Sequence, residues 1–245
     1  MSKLRQRIRD TARHRRAAMG FAPGADAGAG GHVLVVAEVA DVAGTTAVTE
    51  AGAGALVFSD PALAKPISEA AGEAPGGCRI EDATPEQAEA LAEAGADFLI
   101  FDDARTAAAT LQERRLGRVL MLETGADEDR LRSLATLDLD ALLVTDIAET
   151  LTVRDQLALR RIVELTRKPL IAQLSGAVST ATLEVWRDSG MPAVLVPAAP
   201  DDLLAKVIAA AAEVAPPPEP PSEERADPLL PAMPGSSTGD GGDAE

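Results

Sequence analysis

Eight short apolar runs recur along the 245-residue chain, and most end in an acidic residue. They are Val33–Glu38, Ala55–Asp60, Cys78–Asp82, Phe98–Asp103, Val119–Glu123, Ala141–Asp146, Leu170–Gln173 and Ala193–Val196. Continuous apolar runs of this length suit strands buried on both faces. Between them lie stretches long enough for one helix each. Eight strands alternating with eight helices predict an α/β protein built as a single closed (β/α)8 TIM barrel. Such barrels place their chemistry at the carboxyl ends of the strands, so the acidic run ends mark where a site belongs.

Punctuation supports this reading. Thr84-Pro85 with Gln87 forms the pattern of an N-cap, a first-turn proline and a capping box. Asp60-Pro61 is a second cap of that kind, and Thr152 with Asp155 opens a helix that Pro169 stops. Gly52, Gly95 and Gly190 stand where helices should hand over to the next strand. Residues 1–31 read as a short basic helix followed by a Gly/Ala linker, and residues 32–214 as the barrel with short loops. Residues 215–245 hold eight of the seventeen prolines and seven acidic residues against one Arg. That composition cannot bury enough apolar surface to offset its ordering entropy, so this tail is expected to be disordered. Within it, Asp227-Pro-Leu-Leu-Pro-Ala-Met-Pro234 reads as spacer in preference to a docking peptide.

Charge divides the chain unevenly. Residues 1–20 carry seven basic side chains against Asp10 alone, so +6, which leaves −22 on the remainder of a chain whose net charge is −16. So acidic a body disfavours nucleic acid. The basic helix reads as solvated or docked on the barrel, with Leu4, Ile8 and Ala12 facing inward. With no Tyr, one Trp and four Phe, a site that stacks a flavin is not expected, nor is a nicotinamide cofactor. One cysteine, Cys78, fits a reducing cytoplasm, the compartment expected. No run spans a bilayer, and the N-terminus lacks the apolar core of a secretory signal.

An internal repeat refines the candidate site. Glu50–Phe58 resembles Glu93–Phe101, 43 residues on, with weaker copies at Leu137–Thr145 and Ser189–Val196. In this register Asp60, Asp103 and Asp146 coincide, each standing where an N-cap belongs. On the odd strands Glu38, Glu81 and Glu123 coincide, with Gln173 as the fourth member. Alternate strands of such barrels contribute inward layers of four. Three facing carboxylates would repel, and three things relieve that: a divalent cation such as Mg2+ held by Glu38, Glu81 and Glu123; a proton on one Glu; or Arg79, on the same face of its strand as Glu81. The alternative is that these glutamates splay into solvent at the rim. Asp102, one residue before Asp103, is the better placed to face a pocket. The only histidines, His14 and His32, lie outside the barrel strands, so a His-ligated zinc or a Ser-His-Asp triad is excluded there. None of the four lysines ends a strand, which disfavours Schiff-base chemistry.

Lys168-Pro-Leu-Ile-Ala-Gln-Leu-Ser-Gly-Ala-Val178 and Asp188-Ser-Gly-Met-Pro-Ala-Val-Leu-Val196 resemble the last quarter of aldolase-type barrels. The ribulose-phosphate-binding group, which includes thiamine phosphate synthase, is the most similar, and Glu93-Ala-Gly-Ala-Asp97 is of the same kind. The resemblance implies a phosphate held by backbone N–H groups after strands 7 and 8, with Ser175 and Gly176 supplying the first half. The second half, Val196-Pro-Ala-Ala-Pro200, has no glycine, and its prolines lack N–H donors. Two functions are carried forward. In the first, a metal-assisted lyase or isomerase acts on a small metabolite, with Glu38, Glu123 and Asp102 as catalytic carboxylates and Ser175, Gly176 and Gln173 touching substrate. In the second, a non-catalytic barrel serves as a binding or scaffold module whose arms contact a partner. Self-association into a homo-oligomer is compatible with both.

Overall fold

Eight parallel strands pair in chain order and the last returns to the first, closing the barrel. The computed structural model describes residues 2–13, 31–198 and 201–216. Residues 14–30, which hold all of the Gly/Ala linker but Gly31, and the tail beyond Pro216, with its apolar island, lie outside the described residues. The strands are β1 (Leu34–Glu38), β2 (Ala55–Phe58), β3 (Gly76–Arg79), β4 (Phe98–Phe101), β5 (Gly117–Leu122), β6 (Ala141–Val144), β7 (Leu170–Gln173) and β8 (Ala193–Val196). A helix α1 (Lys3–Arg13) precedes them, and α2 (Val42–Glu50), α3 (Ala64–Ala70), α4 (Pro85–Glu93), α5 (Glu128–Ala135), α6 (Val153–Thr166), α7 (Thr180–Asp188) and α8 (Asp201–Ala212) lie between or after strands. The link from β4 to β5 carries only a 3-10 turn, Ala108–Gln112, where the alternation predicts a full helix.

The expected punctuation is present. Thr84 and Thr152 each complete a reciprocal capping box, with Gln87 and Asp155. Gly52, Gly95 and Gly190 all adopt positive φ after α2, α4 and α7, a conformation that carries a Cβ penalty for other residues. Helix α6 ends without glycine: Arg167 takes the left-handed position itself, φ 55°, just ahead of Lys168-Pro169.

Two apolar shells follow from strand alternation. Outward residues such as Leu56, Phe58, Leu99, Leu120 and Val194 pack against the helices, and Trp186 of α7 lies fully buried among them. Inward residues fill the barrel in tiers. Leu34 lies lowest; the next tier comprises Ala55, Phe98, Ala141 and Ala193, and above it stand Val36, Gly77, Val119 and Ile171, then Val57, Ile100, Leu143 and Leu195. Gly77 has no side chain to give its tier; the Phe98 ring fills the space, and a Cβ on Gly77 would fall 2.2 Å from Phe98 Cε2.

Helix α1 closes the amino-terminal end of the barrel, as the docked reading anticipates. Leu4 and Ile8 are buried and belong to the inner shell. Two of the first-turn N–H groups of α1, orphaned in any helix, are met by one carboxylate: Asp97 accepts from Lys3 N at 2.8 Å and Leu4 N at 2.9 Å, while Arg5 N donates to Ser2 Oγ at 3.1 Å. Ser2 donates to Asp140, and Arg5 reaches Asp138 at 3.3 Å and Asp140 at 3.4 Å. The basic helix thus meets part of the acidic body inside the molecule. At the other end, Ala215 N donates to Glu184 of α7 at 3.1 Å, and Arg187 donates to the Ala215 carbonyl. Among the described residues, no helix is long and apolar enough to cross a membrane.

Candidate functional site

The strand registers decide which side chains meet at the carboxyl mouth. Strands in these barrels tilt, so a level tier rises two residues from one odd strand to the next. Applied to the observed pairing, Glu38 of β1 is level with Arg79 of β3, Met121 of β5 and Gln173 of β7, and the circuit returns to Glu38. This is the first polar tier above an apolar interior. Contacts agree: Arg79 Nη2 donates to Gln173 Oε1 at 2.5 Å, and Arg79 Nη1 lies 4.0 Å from Glu38 Oε1. The Arg79 and Glu38 side chains are 15% and 21% exposed. Arg79 Nε is closed to solvent and has no hydrogen-bond acceptor. A buried guanidinium N–H without an acceptor costs free energy that an incoming acceptor would recover.

The tier therefore differs from the one the repeat predicts. Glu38 and Gln173 are in it, but Glu81 and Glu123 are not. Strand β3 begins at Gly76, so Arg79 is its last residue and Glu81 falls in the loop beyond. There Glu81 is exposed and paired with Arg105. Glu123 likewise lies just past β5 and is exposed. Two consecutive glycines carry no apolar signal, which is why the run seemed to begin at Cys78. Glu38, Glu81 and Glu123 are not brought together, and among the described residues no group of three or more His, Cys, Asp or Glu side chains is disposed to hold a metal ion. Of the three relief mechanisms, the geometry supports the Arg79 cation, acting on Glu38.

Above this tier stand the residues that follow the even strands. Asp102 is half-buried and follows β4 at a position that strand alternation assigns to the inward side; its Oδ1 accepts from Ala104 N at 2.8 Å in a local turn. Of the three acids expected to cap helices, only Asp60 does so, accepting from Ala62 N. Asp103 instead pairs with Arg130 at 2.7 Å. Asp146 reaches sideways to the next loop, accepting from Thr124 N at 2.9 Å and Thr124 Oγ1 at 2.8 Å. The other caps among the described residues are Asp41, Asp127 and Ser179, along with the two threonines.

The loops after β7 and β8 complete the mouth. Ser175 is exposed and Gly176 half-buried. A neighbour that no sequence pattern singles out, Glu149 of the β6–α6 loop, lies against Gly176: a Cβ there would be 2.7 Å from Glu149 Oε1. After β8, Ala198 N donates to Glu38 Oε2 at 3.3 Å. Both Glu38 oxygens thus face internal partners, one cationic and one a backbone amide.

Cys78 is the third residue of β3, faces the helices and is buried. Burial pushes its thiol up to about 12, and the nearby Asp60 carboxylate adds to the rise. It is expected to stay unmodified by a thiol reagent at pH 8 in the native protein and to react with one equivalent after denaturation. Native reaction at the denatured rate would mean that β3 is open to solvent.

No family model matches the chain, and no curated protein matches it. Solved structures of tryptophan synthase from M. tuberculosis are similar to it. One, in an open form, is 17% identical and covers 87% of this chain and 97% of that chain, with a TM-score of 0.61. Another, in space group F222, is 16% identical with a TM-score of 0.62, covering 87% of this chain and 96% of that chain. At such identity the likeness establishes the fold alone, a (β/α)8 barrel.

Proposed function

We propose that the barrel mouth binds a small anionic metabolite and that the protein is a lyase or isomerase in which Glu38 moves a proton. The observation that carries this reading is the Arg79 guanidinium, set level with Glu38 and Gln173 on an apolar floor, with Nε lacking an acceptor. A proton taken from carbon beside a carbonyl goes to the Glu38 carboxylate, and the electron pair forms an enolate oxygen. Arg79 and the amide donors of Gln173 stabilise that oxygen, the part that the sequence assigned to a divalent cation. Asp102 stands at the rim above. Ser175 and Gly176 border the same opening.

The second reading, a non-catalytic binding barrel, is favoured by one observation: Glu38 is already engaged by Arg79 and by Ala198 N. Proton exchange separates the two. The protein is incubated in D2O with small keto acids and keto phosphates, and deuterium uptake beside the carbonyl is followed by NMR. The lyase or isomerase reading expects uptake that falls about 100-fold or more in Glu38→Gln, the scale of a lost general base. Uptake equal in both proteins removes Glu38 from the mechanism. Uptake in neither leaves the binding barrel.

A further inference from the structure

We infer that the anion received at Arg79 is a carboxylate, and that the mouth turns phosphate away by means of two of its own glutamates. This rests on the reading of Arg79 as an anion receptor given above. Barrels of this architecture that bind phosphate do so with the loops after strands 7 and 8, whose backbone N–H groups point at the ligand. Here an internal carboxylate stands at each. At the β7 loop, Glu149 Oε1 lies so close to Gly176 that a Cβ there would be 2.7 Å away. At the β8 loop, Pro197 has no N–H, and Ala198 N is taken by Glu38 Oε2 at 3.3 Å. The two glutamates come from different loops, β6–α6 and the end of β1, so carboxylates flank the place a phosphate would take from two sides.

A phosphate monoester carries about 1.5 to 2 negative charges at neutral pH. It would meet like charge at both loops and find the Ala198 amide taken. What remains for an anion is the Arg79 and Gln173 pair. Arg79 Nε and Nη2 form the side edge of the guanidinium, a planar fork that matches the two oxygens of a carboxylate. Nε has no acceptor and is closed to solvent, so a carboxylate reaches it only as the side chains covering it shift; Nη2 has a second hydrogen beyond the one given to Gln173. Because Gln173 Oε1 faces Arg79, its Nε2 is the donor end left for a keto or hydroxyl oxygen beside that carboxylate. The ligand class that fits is a small keto or hydroxy acid.

Calorimetric titration of the full chain with pyruvate and, separately, with inorganic phosphate tests this. Wild type is expected to bind pyruvate, with affinity reduced at least tenfold in Arg79→Met and also in Arg79→Lys, which keeps the charge and loses the fork. Phosphate is expected to bind at least tenfold more tightly to the Glu38→Gln/Glu149→Gln double variant than to wild type. If wild type binds phosphate in competition with pyruvate, and Arg79→Met loses both, selection for carboxylate is overturned while the anion receptor stands. If wild type binds neither anion better than Arg79→Met does, the receptor reading itself falls. If the double variant ignores phosphate as wild type does, the role of the two glutamates is overturned.

Discussion

Leu4→Ala is expected to lower the stability of the protein by about 2–5 kcal/mol, the range for emptying a buried leucine site. Leu4 has no exposed surface and sits with Ile8 under the lowest tier of the barrel. Collapse around the deletion is restricted. The α1 backbone is fixed at Lys3 and Leu4 by Asp97, and the side chains of Ser2 and Arg5 are tied to Asp140. A helix so tethered cannot sink into the space left behind, so the upper half of the range is expected. Urea unfolding monitored by circular dichroism reads the change as a lower midpoint at unchanged slope. Arg9→Ala, on the exposed face of the same helix, should stay within about 0.5 kcal/mol of wild type. Equal midpoints for the two variants would mean that α1 lies on the barrel without completing its core.

Gly77→Ala tests the interior from the other direction. The added methyl would meet three atoms of the Phe98 ring at 2.2, 2.3 and 2.4 Å. Phe98 is 1% exposed and enclosed by the inner shell, so the ring has nowhere open to move. Overpacking of this kind costs about 1–3 kcal/mol and on occasion more; the depth of the overlap places it at the high end. Phe98→Leu alone is destabilising too, since it leaves a void over Gly77. The pair should be better than the sum of its parts, with a coupling of about 0.5–3 kcal/mol, because the smaller side chain vacates the space that the methyl needs. Strict additivity in the double-mutant cycle would show that residue 77 and the Phe98 ring do not share that space.

The same glycine explains where sequence reading stopped. Parallel strands buried on both faces announce themselves as unbroken apolar runs, so all eight are legible in the sequence and only β3 and β5, which open on glycine, begin two residues before their runs. Strand β3 opens Gly76-Gly77, and its apolar contribution is made by Phe98 from the neighbouring strand. A two-residue shift in that strand, and the same shift in β5, which opens at Gly117, put Glu81 and Glu123 in the expected tier in place of Arg79 and Met121 and turned one arginine-held glutamate into a supposed cluster of three. Glu38 and Gln173 were found because their strands are continuous to the end. Arg79 was noticed only as a neutraliser. Glu149 was missed because a loop carboxylate has no periodicity to give it away, and Ala198 because its contribution is a backbone N–H. The 43-residue repeat held on the even strands, in Ala55, Phe98 and Ala141, and failed on the odd ones that carry the candidate site.

The anchoring of α1 also sets an order of assembly. The acceptor for Lys3 N and Leu4 N is Asp97, 94 and 93 residues along the chain, and the partner of Ser2 is Asp140, 138 residues away. During synthesis α1 emerges long before either acid exists, with Leu4 and Ile8 unburied. Its docking is a closure of high sequence separation, the kind that slows folding and leaves apolar surface open to other chains meanwhile. Helix α1 is thereby bound to wait for the middle of the barrel.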